Sequence, residues 1–140
     1  MPTEREKQAE LERVTKISGF RFGIHDFWAE VAPDVLKDRN DRWEAAHNAQ
    51  SLLDRKTEEL IRLAVYVAMR NPAPHIQIHV HAAHEAGATP EQIMEVINLA
   101  GRWANGGAGP NGLEAWRLVF RPDLPTIMRV VELTRDSFEK

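Results

Sequence analysis

The chain has 140 residues, 43% of them hydrophobic and 28% charged, which suits one folded domain with its own core rather than a disordered tail. Its net charge of −3 argues against binding nucleic acid through bulk electrostatics, and no apolar run has the length of a membrane span. It holds no cysteine, which removes disulfides, thiolate nucleophiles, thiol redox couples and cysteine-ligated zinc together.

The first segment, Met1-Pro2-Thr3-Glu4-Arg5-Glu6-Lys7, is densely charged and carries no apolar signal segment, so a cytoplasmic protein is expected. Thr3 and Glu6 have capping-box spacing and predict a charged helix to about Ile17, closed by Ser18-Gly19. A short amphipathic piece follows, with Ile24, Phe27, Trp28 and Val31 at helical spacing. Pro33 suits the first turn of a third helix that carries Val35, Leu36, Trp43 and Ala46. Asp54 to Met69 is the clearest helix. Asp54 is a good N-cap, and Glu58 and Glu59 lie near the positive end of the dipole. Leu60, Ile61, Leu63, Ala64, Val65, Val67 and Ala68 spread apolar surface over most of its circumference, predicting a central helix with neighbours on several sides. The polar remainder is one stripe: Glu59, Arg62, Tyr66 and Arg70.

Asn71-Pro72-Ala73-Pro74 breaks that helix, and the next is expected from about Pro74 to Ala86, with Gly87 at its C-cap. Thr89-Pro90-Glu91 opens another, its buried face predicted from Ile93, Val96, Ile97, Ala100 and Trp103. Residues 105–112 are rich in glycine and read as a loop of positive-φ candidates: a helix connection, with a lid or an anion nest as the functional alternatives. Leu113 to Phe120 is short and helical. Asp123 is placed to cap a last helix from near Pro125 with Ile127, Val130, Val131 and Leu133. No stretch alternates like a strand, so the fold class is all-α: one domain over residues 1–140, a bundle of about six to seven helices with residues 1–20 as a helical extension.

Four of the six histidines fall within ten residues: His75, His79, His81 and His84. On a helix, Ile76, Val80 and Ala83 define the apolar face. His75 and His79 sit on adjacent turns at its edge, while His81 and His84 lie on the solvated side. The bland reading of His75 and His79 is a hydrogen-bonded pair at the helix edge. A metal site is a second reading, since histidines at i and i+4 can hold one ion; Glu59 would have to complete it, and no firm third ligand stands in the sequence. His79-x-His81-x-x-x-Glu85 matches a fragment of the cupin metal signature, but that signature belongs on strands. Helical rotation sets His79 and His81 about 160° apart. The third reading is acid–base chemistry. A neutral imidazole exchanges protons near pH ~6.5; Glu59 could orient it, Arg62 or Arg70 could hold an anion, and Tyr66 could donate to a developing enolate oxygen. Against this, Glu59 and Arg62 can equally form an ordinary intrahelical ion pair.

The stretch Leu53-Asp54-Arg55-Lys56-Thr57-Glu58-Glu59-Leu60-Ile61-Arg62-Leu63-Ala64 resembles the "LdrKtrELI-LA" helix of the carboxymuconolactone decarboxylase family. His79 to Val96 resembles its "H-x-x-x-A-x-x-x-G-x-T-x-E-E-I-x-E-V" segment, and Pro33-Asp34-Val35-Leu36 its upstream piece. The resemblance spans roughly residues 25–120 and implies the alkyl hydroperoxidase D-like helical fold. The hydroperoxidase branch of that family carries Cys-x-x-Cys and a histidine four residues further on. Aligned through Gly87, the histidine falls on His79 and the cysteines on His75 and Pro72, so thiol peroxidase activity does not carry over. The decarboxylase branch opens this helix with "P-E-L-x-x-H", matched by Pro74-His75-Ile76-Gln77-Ile78-His79. The family's glutamate matches Glu59.

The resemblance therefore implies a lyase acting on a small carboxylated lactone or aromatic ring-cleavage product. His79, Glu59 and His75 would be its catalytic residues and Arg62, Tyr66, Arg70 and Trp103 its substrate-binding residues, with no cofactor and a homo-trimeric or homo-hexameric assembly. His75 stands where the family has a carboxylate or a cysteine, and the connection to His79 and the 105–112 loop are longer than usual. Two alternatives stay open: a metal-dependent enzyme using His75 and His79, and a non-catalytic binding or regulatory protein on the same scaffold.

Overall fold

The computed structural model describes residues 1–104 and 109–132. Among them are seven helices and no strand, as an all-α chain requires: α1 (Glu4–Ser18), α2 (Gly23–Val31), α3 (Pro33–Asn48), α4 (Arg55–Ala68), α5 (Ala73–Glu85), α6 (Pro90–Trp103) and α7 (Gly109–Phe120). No helix among the described residues is long and apolar enough to cross a membrane. The chain divides into two compact units, Met1–Leu52 and Leu53–Lys140.

In the first unit Thr3 and Glu6 form the expected reciprocal capping box, and Gly19, at φ 76°, closes α1 through its N–H to the Thr15 carbonyl. Leu11, Val14, Ala29 and Leu36 make the core, with Trp28 against it. The rest of the α2 stripe lies outside that core. Ile24, Phe27 and Val31 are 49%, 59% and 64% exposed, because the inward side of α2 is taken by His25 and Ala29. The His25 ring accepts the Phe22 N–H at 2.9 Å and so caps its own helix. Asn40 is fully buried; its amide donates to the Glu10 carbonyl at 3.0 Å and to the Glu10 carboxylate at 2.9 Å. Arg13 binds Glu44 and Asp41 of α3 beside it.

In the second unit Asp54 caps α4 by accepting the Thr57 N–H at 2.8 Å, and Thr89 with Gln92 forms a capping box at the start of α6. The core is Leu63, Val67, Ile76, Val80, Ala83, Ala88, Ile93, Ile97 and Ala115. The buried side of α4 is narrower than its composition predicts. Leu63 and Val67 are fully buried, whereas Ile61 and Val65 are 51% and 47% exposed. Trp103 does not join the buried face of α6 and is 82% exposed. The helix buries Ile93, Ile97 and Gly101, and Trp103 is rotated about 120° from Ile97.

Two segments differ from their sequence reading. Residues 109–112 are the first turn of α7 rather than loop; residues 105–108, the rest of that expected connection, lie outside the described residues. Gly109 and Gly112 serve close packing, not positive φ. A Cβ on Gly112 would come 2.9 Å from methyls of both Val67 and Ile97, and one on Gly101 would come 3.0 Å from Gly109 Cα. Gly112→Ala is therefore expected to destabilise by about 1–3 kcal/mol, seen as a lower urea midpoint, because both methyls belong to fully buried side chains that cannot withdraw.

The second difference lies after α7. No helix follows it through residue 132, and Leu133 lies outside the described residues. Asp123 caps nothing and instead pairs with Arg121. The backbone here is held by α7 side chains: Glu114 accepts the Ile127 N–H at 3.1 Å, and Arg117 donates to the Leu124 carbonyl at 2.6 Å. Those bonds replace the intrahelical ladder that Pro125 would have opened. The guanidinium of Arg117 also holds the Glu114 carboxyl well below its usual range, at about 2.

Candidate functional site

The site lies where α4 ends, the chain reverses through 69–72, and α5 begins. Both α4 and α5 close with a Schellman pair of hydrogen bonds. At the end of α5, Gly87 takes φ 101° while the Gly87 and Ala88 N–H groups reach the His84 and Ala83 carbonyls. At the end of α4 the same position is Arg70, at φ 58°, with Arg70 N–H on the Val67 carbonyl and Asn71 N–H on the Tyr66 carbonyl at 3.1 Å. A left-handed arginine costs about 1 kcal/mol that glycine would avoid. It is the only non-glycine residue with positive φ among the described residues.

On α4, Glu59 is 1% exposed. Its Oε1 accepts from Arg55 Nε at 2.8 Å and from Arg62 Nη1 at 3.0 Å, while Oε2 is buried and accepts no hydrogen bond among the described residues. Both arginines reach in from solvent, Arg55 at 59% and Arg62 at 40% side-chain exposure. Tyr66, two turns along the same stripe, stacks on His79 of α5 with centroids 4.3 Å apart and 23° between planes. His75 tilts against both rings, 4.7 Å from Tyr66 and 5.2 Å from His79.

The two histidines are not alike. His79 is 4% exposed, and its pKa is pushed down to about 4, first by burial, then by repulsion from His75 when that ring is protonated and from Arg62. His75 is half-buried, and burial lowers its pKa too. Both rings are thus neutral near pH 7. Asn71 Nδ2 lies 3.0 Å from His75 Nδ1, and Asn111 of α7 donates to the Asn71 carbonyl at 3.2 Å. His81 and His84 stand exposed as expected; His84 Nδ1 donates to the Ala88 carbonyl at 3.0 Å, and its ring meets Phe120 edge-on.

Of the residues expected to form a site, Glu59 with Arg62, and Tyr66 with His75 and His79, are each brought together. Among the described residues Glu59 and His79 share no hydrogen bond; Arg62, which pairs with Glu59, also disfavours the charged form of His79. Arg70 stands exposed at the turn after α4, and Trp103 is not among the rings packed round His79. Among the described residues no group of three or more metal-ligating side chains converges, so His75 and His79 gain no third ligand. The sequence reading missed Arg55, Asn71 and Asn111. Arg55 had a signal, being four residues before Glu59. Asn71 had none, since beside two prolines it read only as a helix breaker.

An all-helical chain that stacks a buried imidazole on a phenol, and carries a carboxylate–guanidinium pair on the same helix as that phenol, with no thiol, is fitted for proton transfer beside an anion. The carboxymuconolactone decarboxylase family model matches residues 33–118, and the chain belongs to that family. The match runs across parts of both compact units. No curated protein and no solved structure matches the chain.

Proposed function

We propose that the protein is a carboxymuconolactone decarboxylase-like lyase that removes CO₂ from a small carboxylated lactone or aromatic ring-cleavage product. The observation that carries this reading is the buried His79 ring, stacked on Tyr66 within the field of Arg62. Loss of CO₂ from a carboxylate leaves its electron pair on carbon, spread into the neighbouring carbonyl as an enolate, and one proton returned to carbon completes the reaction. Arg62, held by Glu59, is the anchor for the anion, with Arg70 at the turn as a second cation. Tyr66 or His75 donates to the enolate oxygen. His79 moves the proton. It is neutral at rest, and an anion arriving beside it offsets the fields that disfavour its charged form, so its proton affinity rises as substrate binds.

The half-exposed Ile61 and Val65 on α4 suit a face covered in a homo-trimer or homo-hexamer, and light scattering on the purified protein tests that assembly. The activity is tested by following CO₂ release from a panel of carboxylated lactones with wild type and Glu59→Gln. Turnover of one panel member that falls about 10²-fold or more in the variant is the expected result. No turnover across the panel, or undiminished turnover in Glu59→Gln, would overturn it. Metal analysis of untagged protein separates the metal-dependent alternative: a stoichiometric ion lost in His79→Ala would favour it.

A further inference from the structure

We infer that Asn71 is a positioning residue: its side-chain amide holds the neutral His75 ring with its proton on Nε2, making that N–H the donor this ring offers the site. The inference rests on the proposed proton-transfer role of the site but is read from different atoms. Asn71 Nδ2 faces His75 Nδ1 at 3.0 Å. An amide N–H₂ can only donate, so the ring nitrogen opposite must carry a lone pair, and the single proton of a neutral imidazole is left on the other nitrogen.

The amide is well placed to impose that choice because the residue bearing it is fixed from three helices. Its N–H is bound to the Tyr66 carbonyl on α4, its carbonyl receives Asn111 of α7, and its side chain meets His75 on α5. Pro72 restricts its backbone further. The left-handed Arg70 immediately before it is what turns Asn71 into this position. Among the described residues, the titratable side chains in ring contact with His75 are Tyr66 from α4 and His79 one turn along α5.

The test is the ¹⁵N spectrum of the full chain labelled at histidine, at neutral pH without ligand, with His75 assigned from the signals lost in His75→Gln. The expected result is a bare Nδ1 and a protonated Nε2 on His75. Asn71→Asp offers only acceptors and should move the proton to Nδ1, while Asn111→Ala, which frees the Asn71 carbonyl, should yield a mixture of tautomers. With a turned-over substrate, Asn71→Asp should lower kcat more than it changes KM. A wild-type His75 protonated on Nδ1, or the same tautomer in wild type and Asn71→Asp, would overturn the inference. Should Asn71→Asp fail to fold, the wild-type spectrum and Asn111→Ala still decide it. A protein with the expected tautomer and no turnover would sink the lyase reading and leave the positioning of His75 intact.

Discussion

His79→Gln should abolish most turnover and, at the same time, flatten the acid side of the stability profile. The two effects have one origin. In the folded protein the His79 pKa is about 4 against an ordinary value of 6.5. Below pH 6.5 the unfolded chain takes up a proton that the folded chain refuses. Stability from this group is therefore complete above pH 6.5, falls as the pH drops toward 4, and is lost below it. The span of about 2.5 pH units corresponds to about 3–4 kcal/mol at most, and His75 adds a contribution of the same sign. Urea melts between pH 4 and pH 7 should show this slope in wild type and a shallower one in His79→Gln, since glutamine does not titrate. Activity should fall about 10²–10⁴-fold in the same variant, the usual worth of a positioned proton-transfer group. A variant with the wild-type pH slope would mean that His79 is not held neutral by burial. A variant that kept wild-type turnover would take it out of the chemistry.

The parts of this molecule legible from sequence are those fixed within one helical turn. The caps at Thr3, Asp54 and Thr89 are bonds between residues three apart, and each forms as read. The same locality made Glu59, Arg62 and Tyr66 visible as one stripe and His75 with His79 as one edge. What escaped depends on neighbours distant in the chain. Gly109 and Gly112 look like loop residues because glycine is commonest where φ is positive. Only the methyls of Val67 and Ile97 reveal that Gly112 is a helix-packing contact. Trp103 looks like core by size, but rotation carries it off the buried side of α6. The segment after Phe120 has a helix-like start, yet Glu114 and Arg117 of the preceding helix claim its backbone first. In the site, the sequence showed the two polar faces and not what joins them. The joining residue, Asn71, acts through a backbone turn and a partner forty positions away.

Glu59→Met should leave the fold as stable as wild type or more so while removing most of the activity. Glu59 is 1% exposed, and only one of its oxygens is hydrogen-bonded among the described residues. Taking a carboxylate out of water costs several kcal/mol. Two guanidinium bonds offset part of that, but Arg55 and Arg62 are themselves 59% and 40% exposed, so water screens their attraction. Methionine has nearly the same length and volume and carries no desolvation cost. The arginines it releases can turn outward into solvent, so no buried charge is stranded. The expected change is a gain of up to about 1–3 kcal/mol, read as a higher calorimetric Tm. Turnover should fall about 10²-fold or more, because Arg62, the proposed anion anchor, loses the carboxylate that holds it. Glu59→Ala separates charge from volume: it removes the same carboxylate but leaves a cavity, and should be less stable than the methionine variant by about 2 kcal/mol or more, read as a lower Tm. A methionine variant that melts several degrees lower and still turns over substrate would make Glu59 a structural anchor. Stability gained where activity is lost is the signature of a carboxylate kept in the core for its chemistry.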